Sequence, residues 1–216
     1  MYLEISPRRS GKTTRLVNQL IKDIESSHFT TFLVVTAFGK PYYSHIKELL
    51  LSRISLKTHV VVKSKSENFI VFESNNRQKF VGFCSDVSKW YKFRGISLEQ
   101  PKEYYDEFDY IKNVNEKEYN YYCTTSAKLR TYSEIHRQKD IFSKLLISNN
   151  FSYTCFLSKF DSDVFDIENV RRSMSYSEFE CSILGNFLCY PNSKREQSFD
   201  EISGIPISPS SRFIQE

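Results

Sequence analysis

A chain of 216 residues, 26% charged and 40% hydrophobic, is long enough for one domain with a substantial core and too apolar for a disordered segment. Its formal charge of only +4 sets up no overall field that would select nucleic acid, which leaves only local basic clusters for that purpose. Five cysteines and four histidines show no CxxC or paired-histidine spacing. That argues against a zinc site and suits buried thiols in a reducing, intracellular setting. No apolar run approaches the roughly 20 residues that span a bilayer, and the chain enters a strand at once, so no signal peptide is expected.

In chain order, Met1 to Ile5 reads as a short strand, Ser6 to Gly11 as a loop, and Lys12 to Ser26 as a helix. Leu16, Val17, Leu20, Ile21 and Ile24 recur there at helical spacing. Thr30 to Thr36 is a β-branched apolar run of the kind that forms a buried strand. Pro41 opens a second helix through Ile54, with Ile46, Leu49, Leu50 and Ile54 on one face. Three strands follow at Thr58 to Lys63, Asn68 to Glu73 and Lys79 to Cys84, the last two joined by a turn at Asn75-Asn76. Further strands are expected at Lys102 to Phe108, Asn120 to Thr125 and Ser152 to Leu157, and helices at Ser133 to Asn149 and Ser175 to Phe187. The Ser-, Pro- and Asn-rich stretch from Asn192 onward reads as a loose tail. Strands alternating with helices predict an α/β fold with a mostly parallel sheet flanked by helices.

The first loop carries the clearest chemistry. Glu4-Ile5-Ser6-Pro7-Arg8-Arg9-Ser10-Gly11-Lys12-Thr13-Thr14 matches the second half of the phosphate-binding pattern G-x-x-x-x-G-K-[ST], in the required order of strand, loop and helix. Gly11 permits a tight turn that aims backbone amides at phosphates, and the helix beginning at Lys12 adds its positive dipole end. Lys12 is placed to reach the β and γ phosphates and the Thr13 hydroxyl to ligate magnesium. Ser6 stands where the pattern has its first glycine. Ser6, Pro7, Arg8, Arg9, Ser10, Gly11, Lys12, Thr13 and Thr14 are therefore the candidate binding residues for a nucleoside triphosphate with magnesium.

Tyr104-Tyr105-Asp106-Glu107 fits a Walker B strand end. Asp106 would hold magnesium through water and Glu107 would polarise an attacking water, against the alternative of a plain acidic turn. Tyr121-Tyr122-Cys123-Thr124-Thr125-Ser126 ends the next strand, where the hydroxyls of Thr124 and Thr125 could sense the γ-phosphate.

Taken in this order, the three motifs resemble the ATPase domain of the large terminase subunit, the DNA-packaging motor of tailed phages. The resemblance covers roughly residues 1 to 190 and implies an ASCE-type, RecA-like P-loop fold with a β-hairpin insertion before Walker B. It implies ATP as the nucleotide and a cis arginine finger at Arg8, with Arg9 the alternative. Catalytic roles fall on Glu107, Arg8 and Lys12, and metal ligation on Thr13 and Asp106. Lys92-Phe93-Arg94-Gly95 resembles the family's segment before Walker B, Thr124-Thr125-Ser126 its coupling motif, and Met174 through Phe187 the stretch that closes its ATPase domain.

The family's nuclease domain would begin about where this chain ends, and only five residues precede the loop where relatives contact adenine. The implied partners are double-stranded DNA, a portal and procapsid, a separate nuclease or small terminase subunit, and copies of the chain in a ring, all in the host cell cytoplasm. Candidate DNA grips are Lys57, Lys63, Lys65, Lys89, Lys92, Arg94, Lys128, Arg130, Arg137 and Lys139. Arg171-Arg172 is a candidate for reaching a neighbour's nucleotide. Trp90, Tyr91 and Phe93 read as core aromatics or as a stacking surface for single strands. The competing readings are a helicase-like or replication ATPase, a nucleotide-dependent assembly switch, and a nucleotide kinase, which the Asp-Glu pair fits poorly.

Overall fold

The computed structural model describes residues 2–57, 59–88, 100–148, 153–156, 167–188 and 212–214. The chain divides into two compact units, residues 12–123 and residues 1–11 with 124–216.

In the unit of residues 12–123, β2 (Thr31–Thr36) is buried along its whole length. Such a strand, apolar on both faces, belongs inside a parallel sheet. It lies between β5 (Arg77–Cys84) and β6 (Lys102–Asp106), parallel to both, and β7 (Tyr121–Thr124) continues the sheet beyond β6. Beyond β5 the sheet turns antiparallel through β4 (Phe69–Ser74) and the outermost β3 (Val60–Lys65).

The β4–β5 turn is Asn75-Asn76, with φ of 51° and 59°, between the paired Ser74 and Arg77. Asparagine tolerates this left-handed conformation, and two such residues make the tight turn that matches strand twist. The strand expected over Thr58 to Lys63 lies two residues later. Its exposed lysines and its register shift between Val62 and Ser64 are devices that keep an edge strand from pairing with other chains.

Helix α1 (Lys12–Ser26) buries Leu16, Val17, Leu20, Ile21 and Ile24, as the helical spacing requires. It lies along one face of β6. Near its end Asp23 accepts hydrogen bonds from Lys102 and Tyr104, and in its first turn Thr13 bonds Asp106. Phe32 and Tyr104 meet on the same face at 6.3 Å. Helix α2 (Lys40–Ile54) starts with proline in its first turn and packs Tyr43 against Phe83, with the tyrosine hydroxyl donating to Asn68. On the opposite face, Tyr105 and Tyr122 stack at 5.2 Å and Phe108 meets Tyr122 edge-on.

The Walker B strand stops at Asp106, short of the Phe108 that the sequence suggests. Glu107 adopts φ 58°, and residues Phe108–Tyr110 form a 3-10 turn. A left-handed residue cannot continue a strand.

In the other unit, β1 (Tyr2–Ile5) runs parallel to β8 (Tyr153–Phe156), which pairs in parallel with β9 (Arg212–Ile214). The single helix expected over Ser133 to Asn149 is two, α3 (Tyr132–His136) and α4 (Ile141–Ile147). Gln138 at φ 48° breaks the first, and Asp140 caps the second by accepting from the Ser143 amide. Short polar side chains that satisfy helix-start amides favour a new start over continuation.

The helix expected over Ser175 to Phe187 is a short α6 (Tyr176–Phe179) followed by a π turn (Glu180–Leu184) that ends at Gly185, φ 75°. Helix α5 (Ile167–Ser173) precedes it. No described helix is long and apolar enough to cross a membrane. Of the expected loose tail, only Arg212–Ile214 lies within the described residues.

Candidate functional site

The phosphate-loop motif divides between the two units at the Gly11–Lys12 peptide. Ser6 to Gly11 form the loop. The Ser6 amide donates to the Thr124 carbonyl at 3.0 Å, so the start of the loop is tied to the end of β7. The Arg8 amide donates to the Ser182 carbonyl at 2.7 Å, and Gly185 lies against the Pro7 ring, where an added Cβ would meet Cδ at 3.0 Å. The π turn therefore braces the loop from outside the motif.

Arg9 takes φ 63° and Gly11 φ 84°. Successive turns of this kind point backbone amides to one side, the geometry that cradles anions. Arg8 and Arg9 are exposed, and the Ser10 hydroxyl is buried without a hydrogen-bond partner among the described residues. Thr124 and Thr125 are buried, and the Thr124 hydroxyl donates to the Thr125 carbonyl at 2.7 Å.

The other half is held within residues 12–123. Lys12 Nζ lies 3.4 Å from Glu107 Oε1, both side chains nearly buried. Glu107, a side chain in the left-handed region, is held there at a cost in backbone energy, a pattern found at functional sites. The Thr13 hydroxyl donates to Asp106 Oδ2 at 3.0 Å, and Cys123 Sγ donates to Oδ1 at 3.2 Å. Thr14 follows in the first turn of α1, half-buried.

Asp106 is fully buried, and burial first, then the neighbouring Glu107 charge, pushes its carboxyl up to about 6, against the lowering effect of Cys123, Thr13 and Lys12. A cation at this carboxylate would favour its ionised form. The donor set of a hydroxyl and a carboxylate is made of hard oxygens and fits magnesium. Among the described residues no three His, Cys, Asp or Glu gather as a metal cluster.

The structure thus joins Lys12 to Glu107 and Thr13 to Asp106 in one unit, and Ser6 to Thr124 in the other. Sequence reading missed three participants. Cys123 reaches Asp106 because they are register partners on β7 and β6, a pairing no local pattern signals. Ser182 and Gly185 brace the loop at Arg8 and Pro7 from near the other end of the chain. Even the two candidate metal ligands, Thr13 and Asp106, which bond each other, are 93 residues apart in sequence.

The candidate DNA grips fare unevenly. Arg130 is not one: it is 2% exposed, its guanidinium 4.0 Å over the Phe142 ring and bonded to Asp140 and Ser126. A buried, fully engaged arginine serves packing, not a phosphate backbone. Lys57 pairs with Glu25, Lys63 with Glu73 and Lys128 with Asp140. Lys65, Arg137, Lys139, Arg171 and Arg172 are exposed. Lys89, Lys92 and Arg94, the aromatics Trp90, Tyr91 and Phe93, and the motif-like Lys92 to Gly95 lie outside the described residues. Cys84, Cys123, Cys155 and Cys181 are buried.

A scan against protein-family models and a search of curated proteins give no match. Solved structures do match. The large terminase of a thermophilic bacteriophage superposes with a TM-score of 0.60 at 12% identity over 87% of this chain. The same terminase in complex with ATP-γ-S gives 0.57 at 13% identity, and in complex with ADP 0.59 at 12%. At such identity the likeness establishes the fold, a P-loop α/β architecture. The chain spans about half the length of these structures, 47–48% of each.

Proposed function

We propose that the chain is a magnesium-dependent ATPase and the motor subunit that drives double-stranded DNA into a viral capsid. The observation that carries the ATPase reading is the pairing of Lys12 with Glu107 and of Thr13 with Asp106 at the C-terminal edge of a P-loop sheet, the edge where α/β folds bind ligands. In this reading Thr13 and Asp106 hold magnesium, which would neutralise phosphate charge. Lys12 leaves Glu107 for the β and γ phosphates, and its departure frees the glutamate to polarise the attacking water. Ser6 to Gly11 and Thr14 surround the phosphates. Arg8, or Arg9 beside it, is the finger that offsets charge in the transition state. Thr124 and Thr125 pass the state of the γ-phosphate to the DNA.

Support for the packaging role comes from the fold likeness to a large terminase, a protein solved with ATP-γ-S and with ADP. The proposed partners are double-stranded DNA, a portal and procapsid, a nuclease or small terminase subunit on another chain, and copies of this chain in a ring, in the host cytoplasm.

The test is ATP hydrolysis by the purified protein with and without double-stranded DNA. Turnover should be lost in Lys12→Ala. Glu107→Gln should keep nucleotide binding and lose about 10²–10⁴-fold in kcat, the usual share of a general base. Full turnover in Glu107→Gln would remove that residue from its role. DNA-independent turnover would leave an ATPase and remove the motor.

A further inference from the structure

Three strands of the unit 12–123 reach the same edge, and residues at or next to their ends form a row. Thr36 on β2 is the register partner of Asp106 on β6, and Asp106 is the partner of Cys123 on β7. Register partners in parallel strands share a face. Contacts along the row agree: Phe32 meets Tyr104 further back on the same face of the same two strands, and Cys123 Sγ bonds Asp106. This is the face of α1, whose Thr13 also bonds Asp106. Thr36 thus flanks the candidate metal carboxylate on one side as Cys123 does on the other.

Thr36 is 0% exposed, and its hydroxyl has no hydrogen-bond partner among the described residues. Burying a hydroxyl unpaired costs stability that an isosteric valine in the run Thr31–Thr36 would not incur. Neighbouring strands lie about 4.8 Å apart, a gap that Cys123 bridges to Asp106 directly and the Thr36 hydroxyl does not; one shared water would link that hydroxyl to the carboxylate.

We propose that Thr36 is a positioning residue of the metal site: its hydroxyl holds a water of the hydrated magnesium that Asp106 faces. The inference rests on the reading of the site as a magnesium–nucleotide centre. It adds a residue that belongs to neither the phosphate loop nor the Walker B pair. Groups that orient a metal's inner ligands commonly change its affinity by about 10–100-fold when removed.

The experiment titrates the full chain with Mn²⁺ in the presence of saturating ATP-γ-S and follows bound metal by electron paramagnetic resonance. Thr36→Val should weaken Mn²⁺ binding by about tenfold or more, Thr36→Ala should do the same, and Thr36→Ser should bind within about twofold of the parent. Nucleotide binding measured in chelator should be equal in all four proteins. Ser74→Ala, which removes a buried unpartnered hydroxyl at the far hairpin, should leave Mn²⁺ binding unchanged. Parent-like Mn²⁺ binding in either Thr36→Val or Thr36→Ala, both checked for folding by circular dichroism, overturns the role of Thr36 and leaves the ATPase reading standing. A parent that takes up no Mn²⁺ with the nucleotide overturns both.

Discussion

Strand β6 carries two buried carboxylates, Glu103 and Asp106, and they are treated oppositely. Glu103 is 2% exposed and surrounded. It accepts from the Tyr105 hydroxyl and from the amides of Asn115 and Asn120, and Lys117 pairs with it at 3.3 Å. Asp106, on the opposite face, has among the described residues the Thr13 hydroxyl and the weak thiol donor Cys123 as hydrogen-bond partners, with the Glu107 and Lys12 charges nearby. A carboxylate with its acceptor sites filled is part of the scaffold. One left half-satisfied against a like charge is a place where something else completes the coordination. The comparison separates structure from function on a single strand, where composition alone shows two acidic residues.

The largest test of that contrast is stability. Glu103→Ala should destabilise the protein by about 3 kcal/mol, since it strands a partly buried lysine and two asparagine side chains. Denaturant unfolding measures it. A loss below about 1 kcal/mol would place Glu103 with ordinary surface residues.

Asp106 should behave the other way. Its folded-state carboxyl is raised from 3.8 to about 6. The folded state therefore binds this proton more tightly than the unfolded chain. The stabilisation is fully present below the unfolded value and is lost as pH rises through the folded one. Without nucleotide or metal, stability should fall by up to about 3 kcal/mol between roughly pH 4 and pH 7 from this group, each tenfold change in proton affinity being worth about 1.4 kcal/mol. Asp106→Asn should flatten that part of the profile and exceed the parent in stability at neutral pH, while losing metal-dependent nucleotide binding. An unchanged pH profile in Asp106→Asn would show that the carboxyl is not under strain.

The smallest of the three effects concerns the loop brace. Gly185 has φ 75°, and a Cβ there would meet the Pro7 ring at 3.0 Å. Gly185→Ala should cost about 1–2 kcal/mol, from the left-handed conformation and the displaced proline together. It should also weaken nucleotide binding, because the Arg8 amide is held by the same turn. Loss of stability with unchanged nucleotide affinity would separate the brace from the site.

Much of this protein is determined by local residue order. The helical spacing from Leu16 to Ile24, the apolar run Thr31–Thr36, the proline start of α2 and the Asn75-Asn76 turn each act over a few residues, so their elements follow from short-range propensity. The phosphate loop is likewise local: Gly11, Lys12 and Thr13 are adjacent, and a strand leads in while a helix leads out. Where local signals compete, the order of residues decided less. The run Ser133 to Asn149 reads as one helix, but Asp140 and Gln138 break it, because a side-chain cap satisfies helix-start amides as well as continuation would.

Tertiary structure alone decided which polar residues are buried and what they meet. Arg130 reads as a surface cation until Phe142 and Asp140 enclose it. Thr36 and Cys123 read as strand filler until register sets them beside Asp106. Ser182 and Gly185 read as the end of a helix until they close on the loop at Pro7 and Arg8. In each case the deciding contact joins separate elements of the fold, and its cost or gain depends on burial. Neither quantity is encoded in a local window of residues.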